Sequence, residues 1–140
     1  LSGGTIGIGS TFTAGTGKAV SGTIMIIFDD NGNVGYLKSA GGGGMGGSSI
    51  SGSFIIQVTN AKDIYKLKGL SLQTGGSAGK GGSIGIEYVI GDGYKGVNFT
   101  FGVAGGLTVA ELHSIAEYAS VKGASVDDII AYVKQLKLLN

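Results

Sequence analysis

The side chains of this sequence that could take part in acid–base chemistry lie mainly around its single histidine. His113 has Glu111 two residues before it and Glu117 four residues after it. Imidazole titrates near neutral pH without help, so a carboxylate beside it could give a general acid–base pair or a weak metal site. We nevertheless expect His113 to lie on the polar side of an amphipathic helix, about 100° from Leu112, as an ordinary exposed histidine.

Two further side chains could join such a site. Glu87 lies on a predicted strand, on the same face as glycine and serine residues. If that face lines a cavity, Glu87 points into it, whereas on a solvent-facing side it would have no role. Tyr94 follows in a glycine-rich turn. His113, Glu117 and Glu87 are therefore the candidate catalytic residues, and we do not expect the protein to be an enzyme.

Two motifs resemble ligand sites only in part. Gly17-Lys18 lacks the partners of a phosphate-binding loop, because Phe12 and Ala19 occupy the positions that require glycine and serine or threonine. The segment 29–33, Asp-Asp-Asn-Gly-Asn, offers oxygen ligands for calcium but lacks the spacing and distal glutamate of an EF-hand. A tight hairpin turn of type I′ explains it better. We expect no cofactor and no metal.

The amino-acid composition excludes several classes of protein. The 140 residues fit one domain, 1–140, and include 30 glycines but no proline and no cysteine. The net charge of +1 gives no basic face for nucleic acid. Without cysteine there is neither a disulfide framework nor a thiolate metal ligand. An apolar run of transmembrane-helix length is also missing from the sequence.

Alternating apolar and small residues predict strands over most of the chain. We divide it into a glycine-rich β region, 1–106, and a helical hairpin, 107–140. Thr108–Glu111 is typical of a helix start, Gly123 of a helix end, and Ser125–Asp128 of a second start. The predicted fold is mainly β: seven or eight strands in an antiparallel meander, closed or nearly closed into a barrel, with the C-terminal α-helical hairpin packed against it.

The strand at 50–59 shows the pattern most clearly. Ile50, Phe54, Ile56 and Val58 share one face, and small or polar residues share the other; Ile64 and Leu67 then follow as apolar anchors of the crossover. A sheet in water turns such an apolar face inward. A membrane barrel turns it toward lipid, with small polar residues inside. A soluble form that later inserts into a membrane therefore stays open.

Several segments resemble the glycine-rich C-terminal domains of bacterial RHS-type polymorphic toxins. They are 28–35 (Phe-Asp-Asp-Asn-Gly-Asn-Val-Gly), 58–69 (Val-Thr-Asn-Ala-Lys-Asp-Ile-Tyr-Lys-Leu-Lys-Gly), 74–77 (Thr-Gly-Gly-Ser) and 93–96 (Gly-Tyr-Lys-Gly). The similarity covers residues 5–105 and leaves out the tail from Thr108. A start at Leu1 without methionine also looks like the product of RHS self-cleavage. The resemblance implies a toxin freed from a carrier, and supplies no catalytic residues.

Together these features lead to three hypotheses. The first is a secreted bacterial effector, delivered into a target cell and acting by membrane perturbation, with membrane lipid and an immunity protein or RHS carrier as partners and oligomers possible. The alternative is a non-catalytic structural or binding module that self-associates or adds strands to a partner. The third is an enzyme built on His113, for which full toxicity of a His113→Ala variant would be the contrary result.

Overall fold

Four very long strands and one helix make up most of the protein. The computed structural model describes the backbone of residues 3–138 and the side chains of 3–48, 50–103 and 110–135. The elements are β1 (Thr5–Asp29), β2 (Val34–Thr59), a short 3₁₀ helix (Ile64–Leu67), β3 (Gly69–Gly91), β4 (Tyr94–Ala124) and α1 (Val126–Leu138). No helix within residues 3–138 combines the length and the apolar character needed to cross a membrane.

The strands form one antiparallel sheet in the order β1-β2-β4-β3. β1 reverses direction near Gly17: the Thr11 hydroxyl donates to the Gly22 carbonyl over 3.0 Å and lies 2.9 Å from the Thr23 hydroxyl. β3 reverses near Gly81, because the backbone at Gly75 passes close to Ile86 and that at Gly79 close to Gly82. With both edges closed in this way, the sheet is a closed antiparallel barrel of six strands.

The two ends of this barrel differ. At what we call the bend end, β1 and β3 reverse at Gly17 and Gly81, both with positive φ, and β2 passes through Gly47, also with positive φ. Glycine adopts this conformation without the penalty that a Cβ would bring. The opposite end, the turn end, carries the turns at 30–33 and 92–93 and the crossover at 60–68.

Specific side chains hold the turn end together. The Asp29 carboxylate accepts hydrogen bonds from the backbone N–H groups of Asn31, Asn33 and Ile64, at 2.9–3.0 Å, so one side chain fixes both the hairpin and the crossover. Burial raises the pKa of the Asp29 carboxyl, but the hydrogen bonds outweigh it and hold that pKa below its usual value. The predicted hairpin is confirmed. Its predicted type I′ geometry is wrong, since Gly32 has positive φ and Asn31 does not.

An apolar cluster fills the interior at the turn end. Ile64 and Leu67, 0% and 2% exposed, extend from the crossover onto strand residues, which confirms their predicted role as anchors. The other members are Met25, Ile27, Leu37, Ile55, Ala61, Val89, Tyr94 and Ala119. This cluster closes the turn end of the barrel with side chains.

The mainly β, closed-barrel prediction is confirmed, but the helical hairpin predicted over 107–140 is wrong. β4 continues to Ala124, so the segment expected as the first helix is a strand, and the β region does not end at 106. Only the second expected helix is present, as α1. Ser125 caps it: the Asp128 N–H donates to the Ser125 hydroxyl, and the Ser125 N–H donates to the Asp128 carboxylate, both at 3.1 Å.

Two further details of the predicted fold differ. The strand order is not a simple meander, because the crossover places β3 beyond β4 instead of beside β2. The six strands are also fewer than the seven or eight expected, since long glycine-rich segments such as 40–47 and 75–82 belong to strands instead of separating them.

Candidate functional site

The barrel interior contains a chain of hydrogen-bonded polar side chains. Gln57 on β2 donates to Asn98 on β4 over 2.9 Å, and Asn98 donates to Glu87 on β3 over 3.0 Å. The same Glu87 carboxylate bonds to His113 Nε2. Each of these residues is at most 9% exposed. Strand alternation places every one of them inside, because they occupy the same parity along their strands as the buried apolar residues near the turn end.

His113 therefore lies between two carboxylates. Its Nδ1 is 2.7 Å from a Glu111 oxygen, and the other Glu111 oxygen accepts a 2.8 Å hydrogen bond from the Ser77 hydroxyl. Both ring nitrogens meet carboxylate oxygens, which accept but do not donate when ionised. Burial lowers the pKa of His113, but the hydrogen bonds and charges of Glu111 and Glu87 outweigh it and raise that pKa to about 10, so the ring is held as imidazolium. Burial away from water makes this pairing strong and makes any unpaired member costly.

Glu117 forms a separate polar contact nearer the turn end. It accepts hydrogen bonds from the hydroxyls of Ser21, at 2.7 Å, and Ser39, at 2.5 Å, and is 2% exposed. Ile115, which packs with Ala19 and Met45, lies between it and His113 on β4. Glu117 and His113 thus share one side of a strand without touching each other.

The structure brings together His113, Glu87 and Glu111 but not Glu117 or Tyr94. The expectation that His113 is an exposed residue on a helix is wrong: it lies on β4 and is 8% exposed. Tyr94 belongs to the apolar cluster at the turn end. Gln57 and Asn98 were not predicted as site residues, although they share the small or polar face of their alternating strands, as Glu87 does, and this was a usable signal. Among the described residues, no three histidine or acidic side chains are arranged to hold a metal ion.

The outer surface of the strands is largely apolar, although many polar side chains lie inside the barrel. We call its outward-facing apolar side chains the outer band. They are 39–84% exposed, and they are Ile6, Ile8, Phe12, Val20, Ile24, Phe28, Ile50, Phe54, Leu70, Leu72, Ile84, Ile86, Tyr88, Ile90, Phe99, Phe101, Val103, Leu112 and Tyr118. Proteins that stay in water seldom expose an apolar area of this extent. The barrel is therefore inverted relative to an ordinary soluble sheet.

Acidic and basic side chains of the strands lie on different sides of the barrel wall. Glu87, Glu111 and Glu117 all point inward. Among the described side chains, the charged residues on the outward face of the strands are lysines, and these lie toward the two ends. Lys18 and Lys80 lie at the bend end, and Lys38, Lys95 and Lys122 lie toward the turn end. The middle of the outer band carries no charge in the part of the chain that the structure describes.

Between the apolar cluster and the histidine, the described interior is packed with side chains. A cavity of about 10 Å³ lies among residues that include Met25, Gln57, Gln73 and Asn98. That volume is at most enough for one water molecule. The side chains at this level therefore support the barrel from within and leave no water-filled passage among them.

Comparisons with known proteins add no relative to this description. Family models, curated proteins and solved structures were compared with the chain, and none of them matches it.

Proposed function

We propose that the protein is a membrane-inserting β-barrel that acts as a secreted bacterial effector by perturbing a lipid bilayer. The observation that carries the proposal is the inversion of the barrel, with hydrogen-bonded polar groups inside and an uncharged apolar band outside. This is the arrangement of barrels that live in membranes, where lipid is the outer solvent.

The length of the strands supports the same conclusion. β1 has 25 residues and reverses at Gly17, so each arm is long enough for the roughly 9–11 residues that a tilted strand needs to cross a bilayer. A closed barrel also satisfies its own backbone hydrogen bonds, which a membrane requires. Closure at the β1 and β3 edges leaves less unpaired backbone for strand addition to a partner, so it favours membrane insertion over the binding-module alternative.

The mode of action follows from the filled interior. Because the interior is packed at the level of Gln57 and Asn98, ions would not pass through a single barrel. Leakage would instead come from lipid disturbed around the inserted outer band, or between assembled copies. Release from an RHS-type carrier and neutralisation by an immunity protein belong to the proposal as what the sequence resemblance implies, and toxicity on expression in bacteria tests them.

Vesicle flotation tests membrane insertion, with two variants on one face of one strand. Ile86 lies in the middle of the second arm of β3, whereas Ile90 lies beside the turn end, and both are more than half exposed. Lysine at a bilayer midplane costs about 2–4 kcal/mol, and near the interface about 0–1. We expect Ile86→Lys to lower vesicle binding about 30-fold or more, and Ile90→Lys by about fivefold at most.

Both variants should unfold in urea like the wild-type protein, because neither side chain is buried. Equal binding by the two variants would contradict insertion of the band. Failure of the wild-type protein to bind vesicles, together with a discrete oligomer on gel filtration, would instead support self-association through the same apolar surface.

A further inference from the structure

The two ends of the barrel differ strongly in charge. At the bend end the described charged side chains are Lys18 and Lys80, among glycine, serine, threonine and alanine. The turn end carries four aspartates and five lysines in its turns, crossover and adjoining strand ends. They are Asp29, Asp30, Lys62, Asp63, Lys66, Lys68, Asp92, Lys95 and Lys122. The polypeptide at the bend end is therefore far easier to desolvate.

The exposed tyrosines follow the same division, whereas the phenylalanines include Phe28 at the turn end. The exposed tyrosines Tyr65, Tyr88 and Tyr118 lie in the half of the barrel nearest the turn end. Phe12, Phe54 and Phe101 are the outward aromatic residues nearest the bend end. Tyrosine prefers the membrane–water interface, where its ring is in contact with lipid and its hydroxyl with water, whereas phenylalanine has no such need for water.

Helix α1 lies at the turn end as well. It begins directly after β4, and Tyr132 packs edge-on against Tyr36, with ring centroids 5.8 Å apart. Val126, Ile130 and Val133 of the helix are 41–62% exposed, while Asp127, Asp128 and Lys134 are polar. An amphipathic helix with an exposed apolar side suits the plane of a membrane surface better than its interior.

From these three asymmetries we infer that the barrel enters a bilayer bend end first. The turn end then stays on the side from which the protein was added, with its tyrosines at the interface and α1 lying on the surface. The inference rests on the proposed membrane insertion and adds its direction. Crossing bend end first moves two lysines through the hydrocarbon, whereas the opposite direction would move nine charged side chains and the helix.

Single-cysteine labelling tests the direction, since the chain contains no cysteine of its own. Lys80→Cys marks the bend end and Asp92→Cys the turn end; both positions are exposed. Thr16→Cys, an exposed and uncharged position at the bend end, controls for the lost lysine charge. Each variant is bound to vesicles of phosphatidylcholine and phosphatidylglycerol, floated, and treated from outside with a membrane-impermeant maleimide.

We expect Asp92→Cys to label at once, and Lys80→Cys and Thr16→Cys to label at least tenfold less until detergent opens the vesicles. Without vesicles all three should label equally, which shows that the three sites are equally accessible when no membrane is present. Full labelling of all three on floated protein, or protection of Asp92→Cys alone, would overturn the inferred direction while leaving membrane binding intact. Absence of floated protein would overturn the proposed function itself.

Discussion

The two halves of the barrel interior are stabilised in different ways. Toward the turn end, large apolar side chains such as Ile27, Ile64 and Val89 fill the space and exclude water. Toward the bend end, glycines bring the strands close together, and the Glu87–His113–Glu111 cluster occupies the remaining space. The comparison shows that one closed sheet can rely on apolar burial at one end and on close backbone packing with paired charges at the other. Four predictions test this contrast, beginning with the largest expected effect.

Removing the His113 imidazole should lower the free energy of unfolding more than the other changes tested in the bend-end half. His113→Ala leaves Glu87 and Glu111 facing one another without the group between them. Breaking a buried ion pair in this way lowers the free energy of unfolding by about 3–5 kcal/mol. Urea unfolding followed by tyrosine fluorescence measures it.

Ser114→Ala is the matched control, because Ser114 is the next residue on β4 and faces outward. It should change the unfolding free energy by about 0.5 kcal/mol or less. A loss below about 1 kcal/mol in His113→Ala would show that the cluster is not essential to the bend-end half. The same measurement must precede any toxicity assay of this variant, since lost toxicity could reflect lost folding alone.

In the turn-end half, the largest loss of stability should come from truncating Ile64, which anchors the crossover. Ile64 is 0% exposed, so Ile64→Ala should lower the free energy of unfolding by about 2–5 kcal/mol through lost burial and a residual cavity. Ile90→Ala, at a 58% exposed outward position, should change it little in buffer. Similar losses in the two variants would argue against an apolar cluster as the source of stability at this end.

Close backbone packing in the bend-end half can be tested with two glycines of β2. A Cβ at Gly41 would lie 1.9 Å from the Ala116 carbonyl oxygen, whereas a Cβ at Gly52 meets nothing within 4 Å. Gly41→Ala should therefore destabilise the barrel by about 1–3 kcal/mol, through overpacking. Gly52→Ala is its control. If thermal unfolding shows equal midpoints for the two variants, the strands at Gly41 do not pack as closely as described.

The smallest effect is expected at Asp29, which joins the hairpin to the crossover. Its pKa is held below the usual value, so the carboxylate stabilises the fold fully above about pH 3.9 and loses that contribution as the pH falls through its lower folded-state pKa. Asp29→Asn should lower the unfolding free energy at pH 7 by about 1 kcal/mol. Urea titrations at pH 7 and pH 2.5 should show the difference from wild type shrinking in acid, and a constant difference would contradict the assignment.

Sequence alone could predict the features that depend on local chemistry. The hairpin at 29–33, the anchors Ile64 and Leu67 and the Ser125 cap each follow from residue types at fixed spacings, and each is present. The strand from 110 to 122 is harder to predict from the sequence. Leu112, Ile115, Ala116 and Ala119 satisfy a helical period, while the true alternation places Glu111, His113 and Glu117 inside, where sequence reasoning does not expect charge.

For a related reason, the sequence does not predict which face of the barrel wall is enclosed. An alternating strand has two faces, and the pattern assigns residues to them without saying which face is enclosed. Only the pairing of four distant strand segments brings Gln57, Asn98, Glu87 and His113 together and makes the polar face the inner one. The candidate site therefore depends on the closed topology and not on any one motif.

The strand order also has a consequence for how the chain acquires its shape. Phe28 pairs with Val34, and Gly91 with Tyr94, so two hairpins can form from neighbouring residues. The seam between β2 and β4 joins Val34 to Ala124, which lie far apart along the chain. Contacts of such long range slow folding, because much of the chain must be ordered before they form. Until β4 is complete, the edge of β2 that pairs with it has unpaired backbone groups, so assembly of the seam is the slow step and the stage most exposed to aggregation.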